Sequence, residues 1–152
     1  MTPHHTHTRM VPGHRVMVVI LISLFSVCFA ITGWAVDIVA NKSVAQTSLT
    51  LASARAIFGM RQVKWPDGTP IKVFVLPDNH PAHGALCKER LNLFPYQLRQ
   101  SWDRLVYSGM AQAPHEVASE DELINRVAAT PGAVGYVRKV KNNDPVKIIT
   151  ID

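Results

Sequence analysis

Residues 16–36, VMVVILISLFSVCFAITGWAV, contain no charged side chain. They follow a polar leader that carries Arg9 and Arg15. A positive leader, an apolar core and small residues at Gly33 and Ala35 form the pattern of an export signal cut after Ala35. The run is also long enough to span a bilayer uncut, since about 20 apolar residues suffice. Arg9 and Arg15 would then stay on the inner side. Either alternative removes residues 1–36 from the folded domain and places the remainder outside the cytoplasm. Phe25-Ser26-Val27 before Cys28 makes a poor lipidation signal. His4, His5, His7 and His14 precede the apolar run, so they belong to a polar leader rather than a metal site, which needs a folded second shell.

What remains must fold as one domain. Of the two cysteines, only Cys87 lies in it, so no internal disulfide is available. The hydrophobic core has to carry the stability, and Cys87 is expected as a small buried apolar residue within it. Without Arg9 and Arg15 the 16 basic residues fall to 14, which against 11 acidic ones leaves 14 − 11 = +3. The basic residues are dispersed apart from RKVK at Arg138 to Lys141. That is a mild attraction for anions and not a nucleic-acid footprint.

Residues 37–48 read as a polar connector. Leu51, Ala54, Ile57 and Phe58 share a face at helical spacing and predict a helix over 50–58, stopped by Gly59. WPDGTP at 65–70 is a turn. Residues 71–76 form a strand that is apolar on both faces apart from Lys72, as an interior strand is. The turn 77–80 leads into a helix over 81–91. Asn79 or His80 is its cap, and Pro81 stands where a missing N–H is harmless. A second helix carries the stripe Leu98, Trp102, Leu105 and Val106 and ends at Gly109. The loop 107–114 connects it onward. Ser119 and Glu122 form a capping box for a third helix, which buries Leu123, Ile124, Val127 and Ala128 and stops at 130–132. AVGYVRKV and VKIITI are strands, separated by the turn at 142–144, and predict a hairpin. Trp65, Tyr96, Trp102 and Tyr136 are expected as buried or half-buried packing. The element order indicates an α/β domain with a small mixed sheet flanked by helices.

Two stretches resemble a known family. AIFGMRQVKWPDGTPIKVFV is similar to a segment in the second lobe of the phosphate-binding proteins of ABC transporters. Trp65, Asp67 and Gly68 match its pattern, while the Gly59–Met60 spacing and Val63 depart from it. VAATPGAVGYV, from Val127 to Val137, is similar to that family's Thr-Pro-Gly-Ala-Ile-Gly-Tyr-Val segment. The resemblance covers about residues 49–140 and implies a single compact lobe of the type 2 periplasmic-binding-protein fold over residues 49–152. The full-length family closes two lobes on an anion, and this chain holds the equivalent of one.

The family's phosphate site implies an arginine at the end of the strand and a Ser-Gly-Thr run at the helix start. Arginine pairs with phosphate through two charge-assisted hydrogen bonds, and hydroxyls and backbone N–H groups complete the cage. Here Leu76 stands near the arginine position, and Asn79, His80, Pro81 and Ala82 occupy the turn. Pro81 removes a donor and Asp78 adds a negative charge. The phosphate site is therefore expected to be degenerate. The remaining candidate ligand residues are Asn79 and His80 at the helix start, with Ser108 and Gly109 in the small-residue loop. His80, His83 and His115 do not make a metal site by spacing, and His80 and His83 are expected to face solvent. Arg99 and Arg104 read as a solvated helix face. No nucleophile–base arrangement, phosphate loop or cofactor motif is present, so no catalytic residue and no cofactor is expected.

These features describe an exported, non-enzymatic solute-binding-like module, accessory to the uptake or sensing of phosphate or another small oxyanion. The alternative is a protein-interaction module of the cell envelope, binding a partner or a second copy through the open inter-lobe face. Membrane contact is confined to the N-terminal segment if it stays uncleaved.

Overall fold

The strand that organises the sheet lies in the stretch expected to be a connector. The computed structural model describes residues 36–152, so the segment expected to direct export lies, apart from Val36, outside the described residues. Strand β1, Asp37–Ala40, sits in the middle of a six-stranded sheet of order β2-β6-β1-β5-β3-β4. Its neighbours are β2 (Ser48–Leu49), β3 (Lys72–Val75), β4 (His115–Glu116), β5 (Ala133–Val137) and β6 (Lys147–Ile151). β1 is antiparallel to both β5 and β6, pairing Ile38 with Tyr136 on one side and with Ile149 on the other. The other pairs are parallel, so every strand but β1 runs the same way.

Two expectations are corrected here. Residues 37–40 are a buried strand, not a connector. Their four-residue length is too short to show a period, and a mid-sheet strand needs none because both faces are covered. The last two strands do not form a hairpin. β1 inserts between them, and β5 and β6 run parallel to one another on either side of it.

Four helices complete the domain: α1 (Leu51–Phe58), α2 (Pro81–Ala85), α3 (Pro95–Tyr107) and α4 (Glu120–Ala129). α2 widens into a π-helical turn at Leu86–Arg90. The helices lie on both faces of the sheet because successive residues of a strand point to opposite sides. Gly135 faces α4, and a Cβ there would come within 2.6 Å of the Leu123 side chain. Tyr136 faces the other way, meeting Phe58 of α1 edge-on at 5.9 Å and His83 of α2. Trp102 fastens α3 behind them, its indole N–H donating to the Phe58 carbonyl at 2.7 Å. Trp65, Trp102 and Tyr136 are buried as expected, but Tyr96 is 60% exposed, stacked on an equally open Phe94. Val106 also leaves the expected stripe and is exposed.

The helix signals are realised closely. Thr50 accepts the Ser53 N–H at the start of α1, and Ser119 accepts the Glu122 N–H at the start of α4. The Glu122 carboxylate reaches the Ala118 N–H, one residue ahead of the cap. At the other end of α4, buried Asn41 donates to the carbonyls of Val127 and Ala128 at 2.9 and 2.8 Å. Its own Oδ1 accepts the Ser43 N–H. The supposed connector therefore supplies the C-terminal cap of α4. Among the described residues no helix is long and apolar enough to cross a membrane.

The two familiar stretches touch. The Trp65 indole N–H donates to the Gly132 carbonyl at 2.9 Å. Gly132 has φ +74°, and a Cβ there would lie 2.4 Å from the Pro70 carbonyl oxygen. Turn and close approach both require glycine. Gly132→Ala is expected to destabilise the fold by about 2 kcal/mol or more, from a strained φ and a backbone clash. Asn41→Ala is expected to cost about 2–3 kcal/mol, since it strands two helix carbonyls. Urea titration checks both values.

Candidate functional site

The strands that run together end on one side of the sheet, where open α/β sheets place ligands. β3 ends there in buried Leu76, followed by the turn Pro77 to His80, closed by a hydrogen bond from the His80 N–H to the Pro77 carbonyl. His80 is the cap of α2, its Nδ1 accepting the Ala82 N–H at 3.2 Å. Pro81 has no N–H to offer. The N–H groups of His83 and Gly84 both go to the His80 carbonyl. The first turn of α2 therefore has no donor left for an anion.

The sequence-predicted site residues do not converge. Asn79 is exposed and His80 is half-buried and engaged as a cap. Ser108 and Gly109 close the C-terminus of α3: Ser108 Oγ bonds the Leu105 carbonyl and Gly109 turns the chain at φ +70°. A helix C-terminus presents carbonyls and a partial negative charge, which is unfavourable for an anion. His115 packs against Phe74 at 5.4 Å, away from any shared ligand position. Among the described residues no group of three or more His, Cys, Asp or Glu is arranged to hold a metal ion.

What gathers instead is a set of groups from four elements. The Tyr136 hydroxyl of β5 accepts the Leu76 N–H at 2.8 Å and lies 2.7 Å from His83 Nδ1. With the hydroxyl donating to Nδ1, the imidazole proton sits on Nε2. That nitrogen faces Asp78 Oδ1 at 3.7 Å and Cys87 Sγ at 3.7 Å. Asp78 in turn accepts two hydrogen bonds from Arg99 of α3, Nε at 2.9 Å and Nη2 at 2.7 Å. Glu116 of β4 lies 3.9 Å from the same guanidinium, which rests 4.9 Å over the Trp102 ring.

Three of these residues depart from what the sequence predicts. His83 is fully buried, not solvent-facing. Arg99 is half-covered and paired, not on a solvated face. Tyr136 is a hydrogen-bonding hub rather than packing alone. None carries a local signal, because Asp78 and Arg99 are 21 positions apart and His83 and Tyr136 are 53 apart. Cys87 is buried, as expected.

Electrostatics follow the geometry. The Arg99 hydrogen bonds hold Asp78 below the usual carboxylate range, and Asp78 raises Arg99 in return. Burial lowers His83, opposed by Asp78 and reinforced by Arg99 and His80. Burial pushes the Cys87 thiol up to about 11, with Asp78 adding to it. Thiol, imidazole and carboxylate thus meet without forming a catalytic set. Cys87 and Asp78 face the same ring nitrogen, whereas a proton relay needs them on opposite ones, and the thiol is neither ionised nor accessible.

Beside the turn lies an open cavity of about 550 Å³, lined by His80, Ser119, Glu120, Asp121, Ile124, Arg138, Lys139 and Lys141. Two of its three cations, Arg138 and Lys141, face acids of the chain itself. Arg138 Nε donates to Glu120 at 2.6 Å, its backbone N–H donates to the other oxygen, and Lys141 lies 3.4 Å from Asp121.

No protein-family model and no curated protein matches the chain. Solved structures do. PstS from Borrelia burgdorferi superposes with a TM-score of 0.58 at 13% identity, over 78% of this chain and 47% of that one. A phosphate ABC transporter substrate-binding protein from Clostridium perfringens, with bound phosphate, gives 0.58 at 16% identity over 78% and 46%. An ABC-type phosphate transport receptor from Vibrio cholerae gives 0.50 at 20% identity over 78% and 47%. The domain has the fold of about one lobe of the phosphate-binding proteins. The chain spans about half the length of these structures, and at such identities the likeness is one of fold.

Neutral His83 makes stability pH-dependent. An unfolded histidine takes a proton below about 6.5, whereas the buried one resists it. Its contribution is intact above that pH and is lost progressively as pH falls beneath it. His83→Gln should flatten the stability profile as pH falls through 6.5 in urea titrations, while leaving the acid loss below 3.8 to which Asp78 and Asp67 contribute.

Proposed function

We propose that the chain is an exported, non-enzymatic module of the cell envelope that uses the phosphate-binding-protein fold for contact with another protein rather than for capture of a free oxyanion. The observation that carries this is the two-pronged pairing of Arg99 with Asp78. A guanidinium at the strand-end turn is the group an oxyanion needs, and here a carboxylate of the chain already takes its Nε and Nη2 donors side-on. The helix start has no donor to spare, and Arg138 and Lys141 in the neighbouring cavity face Glu120 and Asp121.

Two further features support contact with a protein. Phe94, Tyr96, Val106, Tyr107 and Met110 are large, apolar and exposed along α3 and its two ends. A small ion has no use for such side chains, whereas aromatic and methionine side chains are enriched in protein interfaces. The neighbours of known structure include a substrate-binding protein and a transport receptor by description, which agrees with a role without catalysis.

Calorimetry of the exported domain with phosphate and sulfate tests the first half. No saturable binding is expected at micromolar concentrations, and micromolar phosphate affinity would overturn the proposal. Crosslinking in the envelope tests the second half. A specific adduct is expected, diminished by Tyr107→Ser with Met110→Ser, and a strictly monomeric, uncrosslinked protein counts against it.

A further inference from the structure

We propose that Asp78, backed by Glu116, is a built-in counter-anion: its carboxylate occupies Arg99 in place of a free oxyanion, and neutral replacement of both carboxylates opens the turn as a site for a tetrahedral oxyanion such as phosphate. This rests on the preceding proposal that the native turn does not capture such an ion. It assigns the exclusion to these two carboxylates and places a latent anion site on Arg99.

The guanidinium is positioned independently of Asp78. It lies over the Trp102 ring at 4.9 Å. Trp102 is itself buried and tied to the Phe58 carbonyl. A planar cation held on an aromatic face keeps its fork aimed after its partner is removed. Asp78 is held just as firmly from behind. The chain preceding it is pinned by the Leu76 N–H to the Tyr136 hydroxyl, and His83 Nε2 stands 3.7 Å from Oδ1. Both partners are accessible, with side chains 45% and 40% exposed for Asp78 and Arg99, so a small ion can reach the place between them.

Charge accounts for the exclusion. Arg99 faces two carboxylates, Asp78 in direct contact and Glu116 at 3.9 Å. One cation against two anions leaves the turn negative, and a free oxyanion is both repelled and denied the Nε and Nη2 donors that Asp78 holds. Replacing Asp78 alone would let Glu116 take over the guanidinium. Neutralising both leaves a positive, preoriented fork with the geometry that carboxylate and phosphate share.

Phosphate titration by calorimetry at low salt separates the outcomes, using the wild-type domain, Asp78→Asn with Glu116→Gln, and the same pair with Arg99→Ala. The double variant is expected to bind phosphate at least about tenfold more tightly than wild type. The triple variant should lose the gain. Far-UV circular dichroism and a melting curve establish that each protein is folded. Asp78→Ser with Glu116→Gln replaces a double variant that does not fold and is expected to gain equally. A folded double variant that binds no better than wild type overturns the counter-anion role while leaving the proposed function standing. A triple variant that binds as well as the double does the same, because the ion then sits elsewhere. Micromolar phosphate binding by the wild type overturns the proposed function and this inference together.

Discussion

The hydroxyl of Tyr136 joins the sheet to everything at its strand ends. It is buried on the central strand β5, accepts the backbone of Leu76 where β3 finishes, and meets the imidazole of His83 on α2. One polar atom thereby sets the exit of a strand, the seat of a helix and the tautomer of a histidine. The energetic stake is high because each of these groups is shut away from water. A buried donor left without a partner costs about 1–3 kcal/mol. Burial also raises the phenol well above its ordinary range, so the hydroxyl keeps its proton.

From that anchor the electrostatics run outward in order. The imidazole stays neutral in the interior, the carboxylate of Asp78 sits at the boundary, and the guanidinium of Arg99 closes the series at the surface. Trp102 takes part twice, through its ring under Arg99 and its N–H on Phe58. The turn that in outline is a cradle for an anion, a strand running into a helix start, is filled by the molecule's own groups. Backbone donors are spent on His80 and the Nε and Nη2 donors of Arg99 on Asp78. The nearby cavity follows the same pattern with Arg138 and Glu120. A fold shared with phosphate-binding proteins is thus paired with strand ends whose anionic partners are internal, and fold alone does not decide between ion and protein as ligand.

Local chemistry was legible. The cap at Ser119, Pro81 in the first turn of its helix, the glycine stop at 132 and the existence of the strands at Lys72–Val75 and Ala133–Val137 each depend on residues a few positions apart. The motif pair around Trp65 and Gly132 was also legible, and the two prove to be in contact. The strand order was not. β1 is four residues long and covered on both faces, so it leaves no alternation to read, and its insertion between β5 and β6 cancels the hairpin that their spacing suggested.

The sequence by itself determined that the described part is an α/β domain with helices at stated places and that its thiol is buried. Those properties live in local spacing and residue type. Only the tertiary structure decided that an arginine reaches this turn, from α3, and that Asp78 already holds it. It also decided that His83 is interior and that Asn41 caps a helix far along the chain. Such pairings join residues tens of positions apart, and they exist because the sheet order brings their elements together.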